Sequence, residues 1–315
     1  MVKFLVALPK DSRKRMIMQG FSSALKICGI LSVERNVENI QPKEMEQLRI
    51  TSILFCDYDL FSNEDILGYL KEKKSIYQLI NYFLQKPDDN DFNNILKTFC
   101  PNIFMWDSSY LDTFEKSTYL PLAINPDLYE PDFVQPKINI SFAQAPLGDN
   151  IQSILASLSK LYRTKLLIYS NENSFLAGAN EMREKKLLSQ SEFEVFLKSY
   201  AGKINSVSHL AKIYSRSLIN LNITQNGENA LNSPVFEITG SCAFLLTDWQ
   251  NDLPLFFNIG KEIETYKNEV DLVDKIDFYF KNPEIAHKIA LAGYEKTLSK
   301  HTFIDRARTL LTSLI

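Results

Sequence analysis

A short helix followed by a buried strand is predicted by residues 232–247, NSPVFEITGSCAFLLT. Ser233 is a favoured N-cap residue, and Pro234 is a favoured first residue of a helix. The apolar run that follows is typical of a strand at 243–248 that is buried on both faces. The amino end of such a helix offers N–H groups and a partial positive charge, which suit a phosphate group.

Glu237 is the one carboxylate within this stretch. A few residues into the helix, it could accept hydrogen bonds from the hydroxyls of a bound nucleotide or sugar. With Ser233 as the N-cap, the third helical residue is Phe236, so Glu237 does not fit a capping box. The simpler alternative is an exposed helix residue between Phe236 and Ile238, and the local pattern leaves both open.

The composition is that of an ordinary globular protein, with 315 residues, 45% hydrophobic and 23% charged. This length suggests two domains of about 150 residues each. The formal net charge of −3 argues against general nucleic-acid binding, which needs a basic surface. No apolar run reaches the roughly 18–20 residues that span a bilayer. Basic residues follow the first apolar stretch, whereas a secretory signal has them first, so we expect a cytoplasmic protein.

Cysteine and histidine usage does not indicate a metal site. The four cysteines lie far apart in the chain, at Cys28, Cys56, Cys100 and Cys242. Because they lack metal-ligand spacing, we interpret them as small buried hydrophobic residues. The three histidines do not pair at three or four residues' spacing, which argues against a zinc site.

Strands and helices alternate along the whole chain. In the first half, strands are predicted at 3–8, 30–37, 51–57, 102–106 and 118–123, and helices at 14–28, 63–73, 75–85, 91–99 and 109–116. In the second half, strands are predicted at 138–143, 165–169, 218–223, 243–248 and 262–266, and helices at 149–163, 174–188, 191–200, 207–216, 233–240, 269–280, 283–299 and 302–313. This alternation predicts an α/β fold with doubly wound parallel sheets.

A proline-rich stretch between the two halves is the best candidate for a linker. It contains Pro121, Pro126, Pro131 and Pro136, and proline blocks helix continuation and sheet interiors. Two similar α/β domains joined in this way make a cleft. Ligands of such sheets bind at the carboxyl ends of the strands.

A set of short segments in residues 118–315 follows one pattern when taken in order. The segments are YLPLAINP at 119–126, YAGK at 200–203, LAKIYS at 210–215, LNI at 221–223, FE at 236–237, FLLT at 244–247, FNIGKEI at 257–263, FYFKNP at 278–283, ALAG at 290–293, HTF at 301–303 and RA at 306–307. This ordered set resembles the bacterial group 1 glycosyltransferases, and within them the spore-maturation (CgeB-type) branch. The first third of the chain resembles them only in its strand and helix pattern.

The resemblance implies a GT-B fold, in which two Rossmann-like doubly wound domains face each other across a cleft. It implies an acceptor domain at 1–125, a nucleotide-sugar (donor) domain at 126–300 and a carboxyl-terminal helix at 301–315 that crosses back to the first domain. Such enzymes generally work without a bound metal. No cofactor is therefore expected. The resemblance also implies that the substrate is a UDP-, GDP- or TDP-linked sugar.

The resemblance also gives Glu237 a role, because the equivalent carboxylate binds the ribose hydroxyls of the donor. The donor-binding candidates are Glu237, Asn232, Ser233, Lys203, Gly202, Gly227 and Asn226. Three departures from the family pattern stand beside them. Ala230 replaces a second acidic residue, Cys242 replaces a glycine, and no basic residue follows the first strand of the second domain. The positive charge that a diphosphate needs would come from Lys203, Arg216 or the helix at 233–240.

An inverting mechanism would add a general base near the acceptor hydroxyl. Asp107, directly after a predicted strand, is the first candidate, and Asp11 is the second. The alternative for Asp107 is an N-cap of the following helix. The sequence Asp57-Tyr58-Asp59 is spelled like a metal motif, but it is also typical of a solvated turn at a strand end. Alternatively, Asp57-Tyr58-Asp59 could form part of the acceptor side of the cleft.

The basic cluster of Lys10, Arg13, Lys14 and Arg15 is typical of a solvated helix start. It could instead meet an acidic acceptor or a membrane surface, although the run is short. Peripheral membrane contact is therefore left open.

Three functions fit the sequence. The first is a glycosyltransferase that moves a sugar from a nucleotide-sugar donor to a protein, glycan or lipid acceptor. The second is a catalytically degenerate GT-B protein that acts as the binding partner of another glycosyltransferase. The third is another sugar-nucleotide enzyme, such as an epimerase.

Overall fold

The computed structural model describes residues 2–73, 76–88, 91–144, 147–224 and 230–314. The chain divides into two compact units. The first is formed by Met1–Ala123 together with Thr302–Ile315, and the second by Ile124–His301. None of the helices in the described part of the chain is long and apolar enough to cross a membrane.

In the described part of the first unit, six strands and four helices come first. The strands are β1 (Lys3–Leu8), β2 (Leu31–Asn36), β3 (Ser52–Cys56), β4 (Gln78–Phe83), β5 (Asn102–Met105) and β6 (Ser117–Tyr119), and the helices are α1 (Ser12–Ile27), α2 (Pro42–Gln47), α3 (Glu64–Glu72) and α4 (Asp91–Phe99). All neighbouring strands are parallel, in the order β2-β1-β3-β4-β5-β6. The strand order reverses between β1 and β3, which is where a doubly wound sheet opens a crevice at its carboxyl edge.

The second unit also contains six strands among its described residues. They are β7 (Ile138–Ala143), β8 (Leu166–Tyr169), β9 (Tyr200–Gly202), β10 (Ser217–Asn222), β11 (Leu245–Asp248) and β12 (Glu264–Tyr266). The helices are α5 (Asp149–Tyr162), α6 (Glu172–Glu184), α7 (Gln190–Lys198), α8 (Val207–Ser215), α9 (Ser233–Gly240), α10 (Leu253–Phe256), α11 (Glu269–Lys281) and α12 (Pro283–Lys300). The parallel order β12-β11-β10-β7-β8-β9 is that of the Rossmann fold, and its switch point lies between β7 and β10.

The last helix, α13 (Phe303–Ser313), packs in the first unit against α1. The ring of Phe303 lies 5.3 Å from that of Phe21, edge to face. A side chain at Gly20 would meet the Phe303 ring at 2.5 Å, so this close approach requires glycine. Arg306, buried in the same helix, donates hydrogen bonds to the main-chain oxygens of Pro121 and Leu122.

The prediction of two doubly wound parallel α/β sheets is confirmed, but two local predictions were wrong. Residues 75–85 were expected to be helical, whereas 78–83 form the central strand β4, buried between β3 and β5. A short apolar run looks alike in a buried strand and a buried helix, and here the length of the run favours the strand. The helix expected at 109–116 is a 3₁₀ turn, Ser108–Thr113.

Candidate functional site

The carboxyl edge of the second sheet is where the Rossmann strand order places a ligand. The turns at this edge begin at Gln144 after β7, Ser170 after β8 and Lys203 after β9, with Thr224 just beyond β10 and Trp249 after β11. Helix α9 also begins at this edge, because the chain enters it after β10. Trp249 is 45% exposed, so part of a large aromatic residue is accessible beside the strand ends.

The start of α9 differs from its prediction by one residue. Asn232 is the N-cap, so Ser233 is the first helical residue and Pro234 the second. The Asn232 side chain does not cap the helix, because it pairs with Asn222 at the end of β10. Asn222 Nδ2 donates to Asn232 Oδ1 at 2.8 Å, and Asn232 Nδ2 donates to Asn222 Oδ1 at 2.9 Å. The Asn222–Asn232 pair therefore ties the first turn of α9 to the end of β10.

A buried polar network continues from this pair to β11. Asn222 Nδ2 also donates to Thr247 Oγ1 at 3.1 Å. Gln250 Nε2 donates to the same hydroxyl at 3.2 Å. The carboxylate of Asp248 accepts hydrogen bonds from the main-chain N and the hydroxyl of Thr224. Burial raises the pKa of Asp248, although these hydrogen bonds favour its charged form.

Four buried polar atoms at the same edge have no hydrogen-bond partner among the described residues. They are Gln144 Oε1, Ser170 Oγ, Gln250 Oε1 and Tyr266 Oη. Each lies at or just past the carboxyl end of a different strand. Buried polar groups are normally paired, so the edge offers several groups to a polar ligand.

Glu237, the fifth residue of α9, is half-buried, whereas its neighbours Phe236 and Ile238 are fully buried. Its main-chain oxygen accepts from the main-chain N and the hydroxyl of Ser241. It is therefore neither a capping-box residue nor a fully exposed one. Its role in ribose binding stays a prediction.

The remaining donor-binding candidates lie in different places. Gly202 ends β9 with a φ of 125°, and the exposed Lys203 follows it at the carboxyl edge. Asn226 and Gly227 lie outside the described residues. Arg216 was expected to help bind the diphosphate, but it precedes β10 at the amino edge, where its guanidinium pairs with Asp132 at 2.5 Å. Ligands of a Rossmann sheet bind at the opposite, carboxyl edge, so the expectation for Arg216 was wrong.

The amino edge carries a cavity of its own, of about 820 Å³, between the segment at 131–137 and the start of α12. Its wall includes Ile138 and Ser217, the first residues of β7 and β10. It therefore lies away from the strand ends at which the network and α9 begin.

Both candidate bases of the first unit act as caps. Asp107 Oδ1 accepts from the main-chain N of Ser109 at 2.8 Å, and only 2% of Asp107 is exposed. Asp11 Oδ1 accepts from the main-chain N of Lys14 at 2.8 Å, and Asp11 is exposed. The cap that the sequence left open for Asp107 is therefore present. A catalytic role for either carboxylate stays a prediction.

A charged cluster that the sequence did not bring together lies at the switch point of the first sheet. Lys14, in the first turn of α1, places its Nζ 2.7 Å from Asp57 Oδ2 and 3.6 Å from Asp59 Oδ2. Asp57 Oδ1 accepts from the main-chain N of Leu84 at 2.8 Å. Asp57 is 1% exposed, so it does not form the solvated turn that the sequence allowed. Its φ of 45° lies in the left-handed region.

The electrostatics of this cluster follow from burial and proximity. Burial raises the pKa of Asp57, against the effect of its hydrogen bonds from Lys14 and Leu84. Burial disfavours charged Lys14, but the hydrogen bond to Asp57 and the charges of Asp57 and Asp59 outweigh it and raise the lysine pKa. Cys56, Asp57 and Asp59 bring potential metal-ligand atoms within 4.8 Å of one another. The ammonium group of Lys14 already supplies a positive charge there, and burial raises the pKa of the Cys56 thiol, which opposes a thiolate ligand.

The amino-acid sequence matches the family described as "Glycosyl transferase-like" over residues 152–312, just over half of the chain. The chain belongs to this family. The prediction of a glycosyltransferase is thereby confirmed at the level of the family, and the match covers most of the unit that contains α9 and the buried network.

Relatives of this glycosyltransferase-like chain were found among both sequences and solved structures. An uncharacterised protein of Aquifex aeolicus (strain VF5) is 31% identical over 125 residues, which cover 38% of this chain. The match spans 31%, about a third, of the length of that curated relative. A glycosyltransferase from Rickettsia africae superimposes with a TM-score of 0.73 at 14% identity, covering 99% of this chain and 97% of that one.

Anabaena Alr3699/HepE, solved in complex with UDP and glucose, superimposes with a TM-score of 0.71 at 7% identity. That match covers 100% of this chain and 99% of the other. At such low identity the two superpositions establish the fold alone, and they confirm the GT-B class of two Rossmann-like units.

Sequence reasoning missed the Lys14–Asp57 pair and the network around Asn222. The one available signal was the position of each polar residue just after a predicted strand. That position marks an edge of the sheet, but only the strand order shows which ends are neighbours.

Proposed function

We propose that the protein transfers a sugar from a nucleotide-sugar donor, most simply a UDP-sugar, to an acceptor hydroxyl. The observation that carries this proposal is the start of α9 beside the Rossmann switch point, where the Asn222–Asn232 pair holds the first turn in place. A helix amino end of this kind suits a diphosphate. The structural similarity to Anabaena HepE, solved with UDP and glucose, supports UDP as the first nucleotide to test.

The parts of a donor site can be assigned to this edge. The first turn of α9 and the exposed Lys203 would offset the charge of the diphosphate. Glu237 would accept hydrogen bonds from the ribose hydroxyls, as the family resemblance implies. The unpartnered atoms of Gln144, Ser170 and Gln250 would meet the remaining polar groups of the donor.

Catalysis in this proposal rests on position and electrostatics. Helix-terminal N–H groups and Lys203 would stabilise the leaving diphosphate, so the reaction would not require a metal ion. The first unit would hold the acceptor. Of the two candidate bases, Asp11 is accessible to an acceptor hydroxyl, whereas Asp107 is 2% exposed and would act by shaping its turn. Membership in the spore-maturation branch is part of the same proposal.

Nucleotide binding by the intact chain is the direct test. We expect isothermal titration to show binding of one among UDP, GDP, TDP and CMP. Glu237→Gln should weaken that binding at least about tenfold, which corresponds to about 1.4 kcal/mol, without changing the unfolding midpoint. Glu284→Gln is the matched control, since Glu284 is a first-turn helix residue that lines the amino-edge cavity. Equal affinities in both variants would reject the role of Glu237.

A catalytically degenerate binding protein is the second candidate. It is favoured by Ala230 at the position of the second acidic residue and by Arg216, which pairs with Asp132 at the amino edge. Lys203 is then the one cation among the proposed diphosphate ligands. Donor hydrolysis above the uncatalysed background would reject this candidate, and nucleotide binding without any turnover would favour it.

A further inference from the structure

We infer that Lys14 and Asp59 form a binding site for a pair of hydroxyls on a neutral saccharide acceptor, and that Asp57 is the residue that positions Lys14. This inference rests on the proposed function, because it names the acceptor class for that reaction. The three side chains lie at the switch point of the first sheet, where a doubly wound sheet takes its ligand.

The contacts of Asp57 fix the positions of its neighbours. One carboxylate oxygen accepts from Leu84 N at 2.8 Å, and the other lies 2.7 Å from Lys14 Nζ. Its main-chain oxygen accepts from Asn81 Nδ2 at 2.5 Å. With 1% exposure it cannot meet an acceptor itself. Its Oδ2 instead fixes where the Lys14 ammonium lies.

Stability alone does not account for this arrangement. A buried ion pair is often no more stable than apolar residues of the same volume. The left-handed backbone of Asp57 adds a further cost, and such strain is concentrated at functional sites. The buried Asn81, whose amide nitrogen holds the Asp57 backbone, has a carboxamide oxygen without a hydrogen-bond partner within the described ranges. Several unfavourable features therefore coincide at one point of the sheet edge.

The two outer groups remain accessible to a ligand. The Lys14 side chain is 22% exposed and that of Asp59 is 33% exposed. Their charged atoms are 3.6 Å apart, beyond the usual length of a hydrogen bond. A ligand hydroxyl can donate to Asp59 while it or its neighbour accepts from Lys14. Adjacent hydroxyls of a saccharide match this donor and acceptor pair.

Charge favours a neutral saccharide over a phosphorylated one. Two carboxylates surround one ammonium, so the cluster carries a net negative charge and repels a phosphate. Lys10 is exposed just before α1, and Arg13 is exposed in its first turn. Their positive charges attract a phosphate and so oppose this preference. The experiment therefore compares both kinds of saccharide.

The test uses the full chain, saturated with the nucleotide that it binds, on an array of neutral gluco-, galacto- and manno-oligosaccharides and their phosphorylated counterparts. The wild type should bind neutral saccharides, and Lys14→Met and Asp57→Asn should each lose at least about tenfold in affinity. Asparagine tolerates the left-handed backbone, so Asp57→Asn removes the charge while it keeps the turn. Lys26→Met, which removes another α1 lysine paired to Glu34 at 3.8 Å, should bind like the wild type.

A double variant distinguishes positioning from a general structural role. If Asp57 acts through Lys14, then Asp57→Asn should cause no further loss of affinity in the Lys14→Met background. Any one of four results would overturn the inference. They are binding of phosphorylated saccharides alone, no saccharide binding, equal binding by Lys14→Met and the wild type, and additive losses in the double variant. Nucleotide affinity is measured on the same preparations. Its absence in the wild type would reject the proposed function, whereas its presence without a response to Lys14→Met would reject this inference alone.

Discussion

The carboxamides of Asn222 and Asn232 donate a hydrogen bond to each other, at 2.8 and 2.9 Å, across the gap between the end of β10 and the start of α9. Asn222 is 1% exposed, and it also donates to Thr247 on β11. One side chain thus connects two strand ends and a helix start. The position of the first turn of α9 depends on this connection.

Asn222→Leu should lower both stability and nucleotide affinity. The substitution leaves both polar atoms of the Asn232 carboxamide without their partner, and a buried unpaired polar group costs about 1–3 kcal/mol. We expect a loss of about 2 kcal/mol in the free energy of unfolding, measured in urea, and weaker binding of the nucleotide by titration calorimetry.

Asn220→Leu is the matched control for this prediction. Asn220 lies on the same strand and is fully buried, but its amide bonds Tyr214 and Phe244 inside the sheet, away from the carboxyl edge. It should lose comparable stability and keep the nucleotide affinity. Equal losses of affinity in both variants would mean that the amide pair has no special role in the site.

Arg306→Met should destabilise the packing of α13 in the first unit. Arg306 Nε and its terminal nitrogen donate to the main-chain oxygens of Pro121 and Leu122 at 2.8 and 2.9 Å. Hydrogen bonds of a charged group contribute about 1.5–3 kcal/mol, while removal of the buried charge offsets part of that loss. We expect a loss of about 2 kcal/mol in urea unfolding followed by circular dichroism.

Arg308→Met, two residues further along α13, tests whether the effect belongs to the buried contacts. Its side chain is 69% exposed, and its ion pair with Asp305 spans 3.7 Å. An exposed pair of this kind contributes at most about 1 kcal/mol. If both variants lost the same stability, the main-chain contacts of Arg306 would not be what holds the helix.

The fold could be predicted from the sequence because its strongest signals are local. Buried parallel strands such as β1 and β3 are short apolar runs, and helices such as α1 and α5 repeat an apolar face. β4 was misassigned because its run from Gln78 to Phe83 is too short to reveal a period, and burial on both faces removes the alternation that would identify a strand.

The candidate site was less predictable because its contacts are not local. Asn232 could be recognised as part of a helix start, but its partner Asn222 is fixed only once α9 lies beside β10. Lys14 and Asp57 are brought together only because β1 and β3 are neighbours in the sheet. Arg216 was placed at the wrong edge, because a sequence does not show whether a residue before a strand faces the donor.

Asp248→Asn should change how stability depends on pH. Burial raises the pKa of Asp248 above its ordinary value of about 3.9. At a pH between the ordinary and the raised pKa, Asp248 is protonated in the folded protein but ionised in the unfolded chain. The free energy of unfolding therefore falls as the pH rises through this window.

The Asn variant lacks this titration, and its side-chain oxygen can still accept from Thr224. The stability of the wild type minus that of Asp248→Asn should therefore decrease as the pH rises from about 4 through the raised pKa of Asp248. Urea unfolding of both proteins across this range measures the difference. A difference that increased with pH would show that the carboxylate is stabilised in its charged form.

Cys242 follows the carboxyl end of α9 with a φ of 53°, a left-handed conformation that favours glycine. The family resemblance places a glycine at this position. Cys242 therefore holds a left-handed backbone that a glycine would adopt without strain.

Cys242→Gly should raise the free energy of unfolding by about 0.5 kcal/mol. It relieves a left-handed strain of about 1–2 kcal/mol but adds about 0.5–1 kcal/mol of backbone entropy to the unfolded chain. The lost packing of the half-buried thiol reduces the gain further.

Cys28→Gly makes the same exchange at the end of α1, where φ is −74°. It relieves no strain, so it should lower stability by about 0.5–1 kcal/mol. Urea unfolding of the two variants should therefore give opposite signs, and a loss in both would mean that packing of the Cys242 side chain outweighs its backbone strain.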